Sequence, residues 1–87
     1  MTTKPPSAVQ SAPADSLEQI AYASVQGLPT REAHDLDRLG YNIWLWLTYR
    51  RDPLELAVRA AGVRFLIPEE EAIERIAGQL KARGVQL

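Results

Sequence analysis

Hydrophobic residues recur at helical spacing in four runs along this chain, and each run is bracketed by residues that start or stop helices. Leu17, Ile20, Ala21 and Ser24 stand at i, i+3, i+4 and i+7, which lines one face of an α-helix. Asp15 and Glu18 have capping-box spacing at its start, and Gly27 followed by Pro29 stops it. The predicted helix covers about 16–26, and so thin a stripe has to dock on something else.

Thr30 is the expected cap of a longer helix, 31–50, with Arg31, Glu32 and Ala33 in its first turn. Ala33, Leu36, Leu39 or Gly40, Ile43 and Leu47 keep one face apolar, while Glu32, Asp35, Asp37 and Arg38 are expected to face water. From Tyr41 onward this helix is apolar on every side and must be covered on every side. The same stretch also alternates, Tyr41, Ile43, Leu45, Leu47 and Tyr49 against Asn42, Trp44, Trp46 and Thr48, and aromatic residues favour strands. The unbroken phase from Leu36 to Leu47, with no hairpin signal nearby, favours the helix.

Asp52, Pro53 and Glu55 form a helix start, with Asp52 as the cap and Pro53 at the first helical position. Leu54, Ala57, Val58 and Ala61 make the stripe of a short helix, 53–61, that Gly62 ends. Val63 to Ile67 reads as an extended connection or a short strand. Pro68 then opens the last helix, 69–83, with Glu69, Glu70 and Glu71 in its first turn and Lys81 and Arg83 in its last, matching the helix dipole at both ends. Ile73, Ile76, Ala77 and Leu80 form its buried face, Glu71 and Arg75 are an i,i+4 pair, and Gly84 terminates it. Gly78 inside that helix suggests close packing of a neighbour.

The expected fold is therefore all-α, a small bundle of about four helices (16–26, 31–50, 53–61, 69–83). Residues 1–14, with three prolines and one sizeable apolar side chain, read as a disordered tail ahead of a single helical domain over 15–87. The alternative is a small α+β unit with strands near 41–49 and 63–67, paired in parallel around helix 53–61.

Size and charge narrow the function classes. A chain of 87 residues buries only about 60–65% of its unfolded surface, so its stability is marginal without a staple. There is no cysteine and a single histidine, His34, which excludes disulfides and most zinc designs. Self-association or a protein partner is the staple that remains. Ten basic residues against eleven acidic ones are spread evenly, leaving a net charge of −1 and no basic arm to draw in nucleic acid. Lys4, Pro5, Pro6 and Ser7 do not resemble a secretory leader, and the longest apolar stretch, Ile43 to Leu47, is far short of the roughly 20 residues that span a bilayer. A cytoplasmic location is expected, and the excess of Arg over Lys in an Ala-rich chain suits a bacterial or phage genome.

Candidate chemistry is sparse. Ser16 and Ser24 have no glycine elbow or local base, and His34 with Asp37 is a solvated pair at best. The carboxylates sit where helix starts and solvent faces put them, with nothing local to shift their pKa values. The five glycines are scattered, so no phosphate-cradling loop is available. No catalytic, metal or cofactor site is expected, and the chain reads as a non-enzyme. Leu56 to Val63 resembles the first helix and turn of a helix-turn-helix, which makes a DNA-binding transcriptional regulator the alternative function. Three glutamates then stand where a recognition helix would meet phosphates.

The strongest signal is aromatic. Both tryptophans and two of the three tyrosines lie within Tyr41–Tyr49, followed at once by Arg50 and Arg51. Trp44 and Trp46 are about 200° apart on a helix and cannot share one core stripe. Aromatic residues and arginine dominate interface hot spots. A bilayer-surface helix would add a Lys/Arg-rich polar face, which is missing here. The expected site is thus a protein-binding surface of Tyr41, Trp44, Leu45, Trp46, Tyr49, Arg50 and Arg51. Its owner would be a small regulator, inhibitor or adaptor that binds another protein or a second copy of itself.

Overall fold

The computed structural model describes residues 16–87, and within them the chain is a bundle of four helices: α1 (Leu17–Ser24), α2 (Asp35–Tyr49), α3 (Leu54–Ala60) and α4 (Glu69–Ala82). The tail expected over 1–14 and the cap expected at Asp15 lie outside the described residues. α2 is the centre of the assembly: α1 packs against α2 and α4, and α3 closes the bundle against the same two helices. The core is built from Ala21 and Val25 of the α1 end, Leu39, Ile43 and Leu47 of α2, Val58 of α3, and Ala72, Ile76 and Leu80 of α4. The segment 41–49 is helical, and no strand forms among the described residues, so the α+β alternative is excluded.

The starts of α1, α2 and α3 differ from their expected caps. At α1 the capping box is Ser16 with Gln19: Gln19 N–H donates to Ser16 Oγ (3.1 Å) and Ser16 N–H donates to Gln19 Oε1 (2.9 Å). The box sits one residue beyond the expected Asp15 and Glu18. α1 also ends at Ser24, earlier than 26, and Leu17 is 44% exposed although it belongs to the expected stripe. Val25 is buried in its place.

The larger correction is at α2, which begins at Asp35 and not at residue 31. Thr30 does not cap it. Its backbone pairs with Phe65 in an isolated antiparallel bridge, with Arg31 N–H donating to Arg64 O and Leu66 N–H to Pro29 O, both at 2.9 Å. Extended backbone at 30–31 cannot also be helical, and the Thr30 hydroxyl donates to Glu32 O. Ala33 is consequently exposed rather than part of the apolar face. Asp35, expected in water, is almost fully buried. Its carboxylate accepts Glu32 N–H (3.2 Å) and an Arg38 guanidinium N–H (2.5 Å).

The Arg38 hydrogen bond is the main reason the Asp35 carboxyl titrates below its ordinary value of 3.8; burial opposes the shift and the Glu32 amide adds to it. A depressed folded-state pKa contributes stability that is present above about pH 3.8 and is lost as pH falls through the folded value. Thermal melts from about pH 6 to about pH 2 should show stability falling in the acid range. In Asp35→Asn that acid dependence should be shallower and the plateau at neutral pH lower.

Asp52 does not cap α3. Pro53 holds the cap position with no side-chain hydrogen bond, and the Asp52 carbonyl is used elsewhere. α4 matches its expected span to within a residue, with Pro68 at the cap. The Glu71–Arg75 pair forms as expected (2.7 Å), and Arg59 of α3 pairs with Glu69 at the start of α4 (2.5 Å). Gly84, at φ +90°, ends α4: Val85 N–H reaches Leu80 O and Gly84 N–H reaches Lys81 O, both at 3.0 Å. These are the two bonds of a Schellman motif.

Val63, Phe65 and Ile67 point inward and alternate with exposed Arg64 and Leu66, so the connection is extended but supports only the single bridge. Gly78 does not pack. A Cβ there would have nothing within 4 Å, and Gly78→Ala should raise stability by up to about 1 kcal/mol, read from urea denaturation.

Candidate docking surface on α2

α2 turns Leu39, Ile43 and Leu47 into the core, and this phase leaves Tyr41, Leu45, Thr48 and Tyr49 toward the outside. The seven expected site residues divide accordingly. Tyr41 and Tyr49 are 49% and 63% exposed, Leu45 is half-buried, and Arg51 is exposed. Trp44 is half-buried against the core, its ring 5.7 Å from that of Tyr41 and inclined by 45°.

Trp46 and Arg50 are engaged inside the chain. The Trp46 ring is buried, and its indole N–H donates to Asp52 O (2.5 Å), drawing the chain after α2 back over the helix end. Arg50 adopts the left-handed conformation (φ 53°) and its amide closes the last turn on Trp46 O. Its guanidinium lies 4.5 Å over the Trp46 ring and donates to Gln86 O (2.7 Å), tying the end of α2 to the segment that follows α4. A cation over an indole face is electrostatically favourable. Trp46 is the inward tryptophan of the two, and Trp44 stays half-buried. Arg51 lies 5.7 Å from the centre of the Tyr49 ring, leaving its charge at the surface.

Beside the stripe, between α2 and α3, is a hollow of about 430 Å³ lined by Asn42, Leu45, Trp46, Tyr49, Arg51, Asp52, Ala57 and Ala60. Asn42 could have been added from the sequence, since 42, 45, 46 and 49 share helical spacing. Ala57, Ala60 and Asp52 could not, because they arrive through the packing of α3 and the turn that precedes it. Small alanines on α3 leave the space that larger side chains would fill.

A second hollow, of about 340 Å³, is lined by Arg31, Glu32, Asp35, Arg38, Gly62 and Arg64. It mixes both signs of charge, and two of its members, Asp35 and Arg38, are already paired with each other. His34 is exposed, 3.5 Å from Glu32 rather than beside Asp37. Among the described residues no cluster of three or more metal-ligating side chains occurs, and no helix is long and apolar enough to cross a membrane.

No protein-family model, curated protein or solved structure matches this chain.

Proposed function

We propose that the chain is a non-enzymatic protein–protein interaction module, a small cytoplasmic regulator, inhibitor or adaptor that docks through the outward face of α2. The observation that carries this reading is the stripe Tyr41–Leu45–Tyr49 with Arg51, held on a single helix and flanked by the α2–α3 hollow. Tyrosines offer large contact area with few rotatable bonds, and arginine adds hydrogen bonding at the rim. The scaffold beneath is stiff: Trp46, Arg50 and the Asp52 carbonyl lock the end of α2, so little ordering entropy would be lost on binding.

DNA binding draws less support. α3 and α4 are separated by the extended connection 61–68, and α4 opens on Glu69, Glu70 and Glu71. A groove-reading helix would press those carboxylates toward phosphates.

A photo-crosslinking amino acid at position 45 or 49 tests the docking face in the cells that make the protein. Either position should trap another polypeptide, a copy of the chain or a different one, while the exposed position 74 on α4 traps none. Tyr41→Lys in the same chain should abolish the adduct. Equal trapping at 45, 49 and 74, or none anywhere, rules the docking face out.

A further inference from the structure

The second hollow, at the start of α2, is walled by charge that the fold does not use. In the antiparallel bridge Thr30 stands opposite Phe65, so the next pair is Arg31 opposite Arg64, joined by the bond from Arg31 N–H to Arg64 O (2.9 Å). Directly opposed side chains of an antiparallel pair project from one face, and like charges so placed repel. Both arginines line the hollow of about 340 Å³. Neither guanidinium has an ion pair or a hydrogen bond to another described residue. Of the two carboxylates in the hollow, Asp35 is buried on Arg38 and the Glu32 amide, and Glu32 lies 3.5 Å from His34 Nε2. Arg38 bonds Asp35 through one nitrogen and stays half-exposed, a third positive group at the same hollow. Gly62 completes the wall without a side chain, and a Cβ there would meet nothing within 4 Å. The space is open and polar, with two unpaired cations facing each other across it.

We propose that this hollow binds a phosphate monoester group, held between the Arg31 and Arg64 guanidinium groups. Residues opposed in a hydrogen-bonded antiparallel pair have Cα atoms about 5.5 Å apart, so both side chains can reach one ligand group. A phosphate offers three terminal oxygens and close to two negative charges, enough to accept a fork from each arginine. A carboxylate has two oxygens and is filled by a single fork. The positive excess is small, which suits one phosphate group and not a run of them along a nucleic acid. Sequences break local pairing rules at sites of function, and a bound dianion turns the repulsion between Arg31 and Arg64 into a shared attraction. The site shares no residue with the stripe Tyr41–Leu45–Tyr49 or the hollow beside α3, so it is independent of the docking face.

Thermal melts of the full chain at fixed ionic strength test the site, with inorganic phosphate replacing chloride. For a Kd of roughly 1 mM, ~10 mM phosphate should raise the wild-type midpoint by about 5 °C or more. The double variant Arg31→Gln, Arg64→Gln should lose this rise; both side chains are exposed and the bridge uses only their backbone. Lys81→Gln, which removes a positive charge from an exposed position on α4, should keep it. Amide shifts in an NMR titration with phosphate should cluster at 31–38 and 62–64. Arg64→Glu should melt higher than wild type in chloride, since attraction to Arg31 replaces repulsion, and should not respond to phosphate. A purely structural role for the two arginines would not separate those readouts. A sugar phosphate and a phosphoserine peptide then identify the source: tighter binding of the first assigns a small-molecule ligand, and of the second a phosphorylated protein. The site is overturned by no rise in wild type, by an equal rise in the double variant, by a rise that acetate matches, or by amide shifts scattered over the surface.

Discussion

Trp46→Ala should cost this chain about 3–5 kcal/mol of stability, the usual range for truncating a buried aromatic. Native proteins are held by only about 5–15 kcal/mol in total, and one of this size is expected toward the lower end. The variant should therefore be partly unfolded at ambient temperature, with a large fall in its urea midpoint. Three contacts are lost at once: the buried ring, the indole donor to Asp52 O, and the face on which Arg50 rests. Trp46→Phe separates them. It keeps a ring beneath Arg50 but removes the donor, and a lost hydrogen bond of this kind is worth about 1 kcal/mol. Trp44→Ala, at a half-buried position, should be milder than Trp46→Ala. Equal losses at the two tryptophans would contradict the division of roles between them.

Gly40→Ala is the second large effect, and it runs against helix propensity. Alanine is favoured over glycine inside a helix by about 1 kcal/mol. At position 40, however, a Cβ would overlap Tyr22 Cδ1 and lie 2.6 Å from its Cε1, since the Tyr22 ring lies flush on the α2 backbone. Overpacking of this sort costs about 1–3 kcal/mol, and the ring is not the free end of a flexible chain. The expected net result is destabilisation, in contrast to Gly78→Ala. In a Tyr22→Ala background the clash disappears, and Gly40→Ala should become neutral or stabilising. Non-additivity between the two sites, measured by a double-mutant cycle, checks the contact directly. Additive losses would mean that Tyr22 is not what position 40 meets.

Legibility differed from element to element. α4 was readable almost to the residue, because its signals are local: acids in the first turn, an i,i+4 pair, a clean apolar stripe and Gly84 at the end. The stripe of α3 was equally plain at Leu54, Val58 and Ala61. The start of α2 was not. Thr30 has the right side chain for a cap, and only its partner in the bridge, Phe65, far along the chain, shows why its backbone is extended. Asp35 looked like a solvent-facing acid for the same reason, since its burial depends on the turn made by 31–34.

The candidate surface shows the same boundary. Local periodicity favoured a helix over a strand at 41–49. On a helix that stretch carries more aromatic area than one stripe can bury, Trp44 and Trp46 point apart, and Tyr41, Leu45 and Tyr49 lie on one face. Those placements follow from a turn of about 100° per residue and need no knowledge of neighbours. The tertiary structure excluded the strand. Which tryptophan goes inside was decided by the tertiary structure, through the Asp52 carbonyl and the Arg50 side chain anchored on Gln86. So were the hollow beside α3 and the close approach of Tyr22 to Gly40. Each depends on groups distant in sequence meeting in space, and residue spacing along one helix carries no information about what packs against it.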